Sequence, residues 1–250
     1  MSVTRLDVRR DPAGGRVRLE MGSGGPRGRG HLAVRVLGRD AEGARVALVA
    51  ECALLVADDD VRLDLRVGRD VLLEVVEPAG TVAYDMRGGS ARWCATVVVA
   101  DGGHLVWRAQ PLVVSSGARV ERRVDVALHG SASALLRETI VLGRATECGG
   151  CLRQHLRVAG DDGPVLVEDL ALDGVRPMSG VLAGYRVLDT ITMLGRRANG
   201  IPTPPRAHRL DLEAEGTMIR SLCAAAHLSP LEEAWTTAAD VVASAPLSVR

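Results

Sequence analysis

The side chains best placed for chemistry lie near residue 150. Glu147-Cys148-Gly149-Gly150-Cys151 sets two thiols across a Gly-Gly turn, and His155 follows four residues on, on the same face of a strand. Two thiolates and an imidazole could capture a borderline ion such as Ni(II) or Zn(II). The plainer reading is a hairpin, with a strand over Thr139–Arg144, a glycine turn and a strand over Cys151–Val158. Redox chemistry is the weaker reading, because a thioredoxin-type Cys-x-x-Cys opens a helix after a strand and this pair joins two strands. Carboxylates inside apolar strands form a second set. Glu138 sits between Leu135-Leu136 and Ile140-Val141-Leu142, and Glu168 between Val165-Leu166-Val167 and Leu170. An inward carboxylate must be paired, hydrated or bound to a cation, since an isolated buried charge costs too much. An ion pair with a nearby arginine, such as Arg137 or Arg144, is the plain alternative.

The elements that must position these groups are mostly strands. Val61, Leu63, Leu65 and Val67 alternate with Arg62, Asp64 and Arg66, and Val120, Val124, Val126 and Leu128 share a face opposite Glu121, Arg123 and Asp125. Further β runs are Arg45–Val56, Val71–Val76, Ala91–Ala100, Ala134–Leu142, Cys151–Val158, Val165–Leu172 and Val187–Leu194. Turn signals separate them, among them Asp101-Gly102-Gly103 and Asp161-Asp162-Gly163-Pro164. The rhythm predicts a mostly β fold of stacked or helically wound antiparallel or mixed sheets, in one large domain over 1–250. Met21–Gly30 reads as a flexible loop, and Asn199–Pro205 as a rigid connector. Residues 217–244 are expected to be the helical part. Met218, Ile219, Leu222 and Ala226 follow helical spacing, and Ser229-Pro230 supplies an N-cap and N1 for a last helix to about Ser244.

Composition narrows the classes of function. With 31 Lys+Arg against 31 Asp+Glu the net charge is zero, so no polyanionic partner such as nucleic acid is indicated. Every one of those cations is arginine, which most simply reflects GC-rich codon usage. No segment approaches the roughly 18 apolar residues of a membrane span, and Met1–Arg10 carries charges where a signal peptide needs an apolar run. Five cysteines, an odd number, fit reduced thiols better than a disulfide framework, and a soluble cytoplasmic protein is expected. There is no Gly-x-Ser-x-Gly elbow, P-loop, His-Glu-x-x-His or dinucleotide fingerprint, so the chain is not expected to be an enzyme. Trp107, on a strand beside Gln110-Pro111, and Trp235, on the last helix, are candidates for partner contacts.

Four ordered motifs carry a resemblance. A proline turn and a short aromatic-bearing strand run from Glu77-Pro78-Ala79-Gly80 to Tyr84, followed by Gly89-Ser90-Ala91-Arg92. Leu105-Val106-Trp107-Arg108-Ala109-Gln110-Pro111 precedes Gly117-Ala118, Leu135–Leu142 ends in Gly143-Arg144, and Leu166-Val167-Glu168-Asp169-Leu170 leads to Leu172. In content and order, Glu77–Gly174 resembles the UreD (UreH) urease accessory proteins. The resemblance implies a non-catalytic β scaffold that binds apo-urease and the UreF and UreG accessory proteins. It implies no tightly bound cofactor, transient Ni(II), and an internal water-filled passage to which Asp59, Glu138 and Glu168 would belong. One departure stands out. Ala53-Leu54-Leu55-Val56-Ala57-Asp58-Asp59 occupies the place of the family's Gly-Gly-(Ile/Val)-x-Gly-Gly-Asp, so the glycines are lost and an altered turn is expected. A metal-binding or redox module on Cys148 and Cys151, or a β interaction protein unrelated to urease, are the competing readings.

Overall fold

The computed structural model describes residues 1–25, 31–176 and 179–244. Two sheets face each other. One has seven strands, β1 (Ser2–Arg9), β2 (Arg18–Gly24), β5 (Asp60–Val67), β8 (Ala91–Val99), β11 (Arg119–Leu128), β13 (Cys151–Gly160) and β14 (Gly163–Asp173), in the order β14-β13-β11-β8-β5-β1-β2. The other has ten. Its main path runs β16 (Ala207–Asp211), β17 (Gly216–Cys223), β15 (Val187–Leu194), β12 (Ser133–Leu142), β9 (His104–Arg108), β6 (Leu72–Val76), β4 (Gly43–Ala50) and β3 (Leu32–Arg39); β10 (Leu112–Val114) pairs with β12 and with β7 (Thr81–Ala83).

From β4 to β13 the chain crosses between the sheets and advances along each, pairing in parallel with the strand laid down one turn earlier, as in β5–β8, β8–β11 and β11–β13. The wound sheet expected from the turn rhythm is thus the architecture. One face of each strand is covered by the opposite sheet, which is why β5 alternates between buried and exposed residues. The intersheet core includes Leu6, Leu63, Leu65, Leu73, Leu105 and Leu152.

A second, smaller core lies on the outer face of the ten-stranded sheet. There α2 (Glu232–Ala243) lays Ala234, Trp235, Ala238 and Val242 over Leu135, Ile191, Met193 and Ile219. This cover explains a correction: Met218, Ile219 and Leu222 belong to strand β17, and Ala226 to a short 3-10 turn (Ala226–Leu228). A strand covered on both faces loses its period of two and imitates helical spacing. The last helix begins at Glu232 with Leu231 as N-cap, two residues beyond the expected start; just before it the Ser229 hydroxyl donates to Asp189 at 2.5 Å and accepts from the Leu231 N–H at 3.3 Å. A four-residue helix, α1 (Ser179–Leu182), precedes β15.

Other expectations also shift. Met21–Gly24 is strand rather than loop, and residues 26–30 lie outside the described residues. The run from Arg45 stops at Ala50, and 51–56 is not strand. Strands β12 and β13 lie in different sheets, so the Cys148–Cys151 turn is an intersheet crossing and not a hairpin. Its glycines are required for that crossing. Gly149 has φ +99, and a Cβ on Gly150 would stand 2.3 Å from the Ala118 carbonyl oxygen. Among the described residues no helix is long and apolar enough to cross a membrane.

Candidate functional site

Strand β12 turns Leu136, Glu138, Ile140 and Leu142 toward the opposite sheet. Glu138 is met there by Arg122 of β11, with which it forms an ion pair, and by Gln154 of β13, whose Nε2 donates to it at 3.1 Å. Arg122 also donates to Gln154 Oε1 at 3.1 Å and lies over the Trp93 ring, 4.6 Å from its centroid. The partner of Glu138 is therefore neither Arg137 nor Arg144. Arg137 points to the other side of the sheet, and Arg144 pairs with Glu147.

Glu138, Arg122 and Trp93 border a cavity of about 140 Å³ whose wall is mostly apolar, with Leu32, Leu48, Leu55, Leu112 and Ile140 among its lining. A second carboxylate stands in the same wall: Glu77, just past the end of β6. Trp107 Nε1 donates to Glu77 Oε1 at 3.1 Å, and the Trp107 and Trp93 rings lie 6.1 Å apart. Burial pushes the Glu77 carboxyl up to about 7, against the lowering effects of the Trp107 hydrogen bond, the Arg122 charge and the Gln110 backbone N–H. Near neutral pH this acid can exchange its proton for another cation.

From Glu138 a polar row crosses the ten-stranded sheet. Glu138 stands opposite Thr190, Thr190 opposite Arg220, and Arg220 opposite His208. Arg220 donates to Thr190 Oγ1 at 3.1 Å and clamps Glu168 of the facing sheet through two bonds of 2.7 and 3.0 Å. Glu168 is thus ion-paired and lies outside the lining of the cavity. Asp59 is also outside the lining of the cavity, with Oδ1 3.6 Å from His31 Nε2 and Oδ2 accepting from the Val56 N–H at 3.0 Å.

The remaining candidates fall elsewhere. Cys148 is exposed, and Cys151 is partly buried beside Asp173; burial and the Asp173 charge push the Cys151 thiol up, away from thiolate. His155 shares the face of Cys151, but four residues of strand separate the two by about 13 Å, too far for one ion. Its Nδ1 is 2.5 Å from Asp169 of the neighbouring strand. Among the described residues no three His, Cys, Asp or Glu side chains are grouped to hold a metal ion. Trp107 and Trp235, expected to meet partners, are 3% and 4% exposed, so both are buried: Trp107 supports Glu77, and Trp235 anchors α2.

Sequence reading missed Glu77, Arg122 and Gln154. Glu77 carried a faint signal, a second acid after Glu74 that closes the strand Leu72–Val76 just before a proline. Arg122 and Gln154 each occupy an inward position on an alternating strand, where an apolar residue would be usual.

Residues 29–244 match the family model described as UreD urease accessory protein. The chain is 41% identical over 244 residues to a protein of Streptomyces griseus named urease accessory protein UreD 1, covering 95% of this chain and 92% of that one. It is 44% identical over 123 residues to a UreD of Frankia alni, covering 48% of this chain and 41% of that one. It is 34% identical over 152 residues to one of Rhodopseudomonas palustris, covering 58% and 53%.

Proposed function

The chain belongs to the UreD urease accessory protein family, and from that premise we propose that it passes Ni(II) toward apo-urease through the intersheet cavity, bridging urease and a UreF/UreG-type partner without turning over a substrate. A role in urease maturation follows from the family. Cargo passage through the interior is the finer reading, and the observation that supports it is the pair of carboxylates, Glu77 and Glu138, in one mostly apolar cavity. Carboxylate and water sites hold a borderline divalent ion weakly enough to release it, whereas paired thiolates would retain it. The cytoplasm, where urease is assembled on this reading, is the setting proposed for the chain.

The two carboxylates have different parts. Glu138 is balanced by Arg122 and fixed by Gln154, so it offers a charge whose position is set. Among the described residues Glu77 has no ion-pair partner and holds its proton to about pH 7. It takes up a cation by giving up that proton, which makes its occupancy reversible close to neutrality.

The test pairs Glu77→Gln with Glu138→Gln in a strain expressing urease and its accessory proteins. Co-purification with the partners should persist while urease nickel content falls severalfold. Full nickel loading of urease with the double variant would overturn the reading. Cys148→Ser with Cys151→Ser should leave loading intact, and a loss there would favour the thiol pair instead.

A further inference from the structure

We propose that Arg122 is a built-in competitor for the cargo: its guanidinium holds Glu138 between ions, yields that carboxylate to a divalent cation, and sends the ion on by returning to it. The proposal rests on the conduit reading and deepens it by naming the residue that keeps a passage from becoming a store.

Access to the pair is open. The wall of the cavity includes the exposed residues Ala50, Pro78, Ala79 and Gly80, so the space reaches solvent, and its volume of about 140 Å³ far exceeds the roughly 10–15 Å³ that one water needs. Arg122 and Glu138 stand in that wall. Together with Ala109 they also line a second cavity of about 10 Å³, bounded further by Trp107, Val124 and Leu136. The ion pair is thus the partition between an open chamber and a narrow one, and an ion arriving at Glu138 meets the guanidinium there.

Charge then sets how tightly an ion is held. Among the described residues, only Glu77, Arg122 and Glu138 bring charge to the wall of the larger cavity. Arg122 balances Glu138, and Glu77 keeps its proton to about pH 7, so the wall is close to neutral between ions. The Arg122 charge is felt at Glu77 as well, where it favours the ionised carboxylate. A divalent ion that displaces the Glu77 proton would be matched by the two carboxylates alone, but beside Arg122 it leaves one positive charge in excess. Repulsion across a few ångströms of partly buried space is worth about tenfold in affinity or more.

Arg122 can release Glu138 without being stranded. It donates to Gln154 Oε1 at 3.1 Å and lies 4.6 Å from the centroid of the Trp93 ring, so two of its three partners remain. Glu138 likewise keeps the Gln154 Nε2, which donates to it at 3.1 Å. Gln154 is buried and holds both members of the pair through different atoms. The other inward pair, Arg220 with Glu168, lies outside the lining and lacks this access.

The test uses the purified chain with Ni(II) alone as probe. Arg122→Gln should bind Ni(II) about tenfold more tightly, and the gain should shrink to about threefold in the Glu138→Gln background, where nothing is left to compete for. Arg122→Lys holds a carboxylate at one point instead of with a fork, and should tighten binding about threefold, which decides the matter even if Arg122→Gln fails to fold. In the strain expressing urease, the Arg122→Lys chain should purify with more nickel than its parent while urease receives less, a split that a merely structural role does not produce. Unchanged or weaker Ni(II) binding in Arg122→Lys, equal gains with and without Glu138, or a loss of nickel from both chain and urease would overturn the proposal. Failure of the conduit reading is separate: full nickel loading of urease with the Glu77→Gln, Glu138→Gln chain.

Discussion

Arg137 and Glu138 are neighbours on β12, face opposite sides of the ten-stranded sheet, and each is half of an ion pair, yet their surroundings differ. Under α2, Asp189 is wholly buried and accepts from Arg137 Nε and Nη2, Thr139 Oγ1 and Ser229 Oγ at 3.4, 3.0, 2.9 and 2.5 Å. Arg137 Nη1 reaches on to Glu232 at 2.6 Å, which Arg108 also holds. Every charge in that network has a partner, and the network seats the last helix on the sheet. On the other side, Glu138 has Arg122 and Gln154, but its site opens into a cavity shared with Glu77. A closed polar cluster fixes a shape, whereas a polar cluster with empty space beside it leaves room for cargo.

Breaking the closed side should cost most. Arg137→Ala leaves the Asp189 carboxylate buried with only hydroxyl donors and removes one support of Glu232, so a destabilisation of about 3–5 kcal/mol is expected. The midpoint of urea unfolding measures it. A loss below about 1 kcal/mol would mean the two faces of β12 do not differ as argued.

The open side should respond to pH. The Glu77 carboxyl is raised from 4.5 to about 7 in the folded chain, so the folded state holds its proton more tightly than the unfolded state. The stabilisation this gives is fully present below about pH 4.5 and is lost as pH rises through about 7, by no more than roughly 3 kcal/mol. In Glu77→Gln this part of the pH dependence should vanish, as unfolding at pH 5, 6, 7 and 8 would show. A third change separates function from fold: Glu138→Gln keeps the shape and one acceptor for Arg122, and should cost only about 1–2 kcal/mol in the same urea assay. A cost matching that of Arg137→Ala would make Glu138 a structural residue.

What the sequence made legible follows the same division. Strands with one face in the core, such as β5 and β11, keep a period of two and could be read directly. Strand β17 could not, because α2 covers its second face and erases the alternation. Glu138 announced itself as an acid among leucines and isoleucine. Its partner Arg122 did not, since the pairing depends on which two strands the winding sets face to face. Glu77 is supported by Trp107 from 30 residues away, and that separation leaves no local pattern. The cysteine pair was conspicuous for another reason, as its spacing reflects a tight glycine crossing between sheets.

The smallest effect concerns the loop that carries Asp59. This chain carries left-handed backbone at two non-glycine residues of the loop: φ is +67 at Asp58, where the family motif has glycine, and +58 at Leu55, where it has isoleucine or valine. Such a conformation costs a non-glycine residue roughly 1–2 kcal/mol, less for aspartate, whose short side chain tolerates it. Leu55 repays that strain with a side chain only 1% exposed and packed at the cavity wall, so replacing it would lose more than it relieves. Asp58 is exposed and has no such role. Asp58→Gly should therefore stabilise the chain by about 0.5 kcal/mol, with the gain limited by the greater freedom of glycine in the unfolded state. Differential unfolding against the parent chain measures this, and a destabilisation would show that the Asp58 carboxylate supports the loop holding Asp59 beside His31.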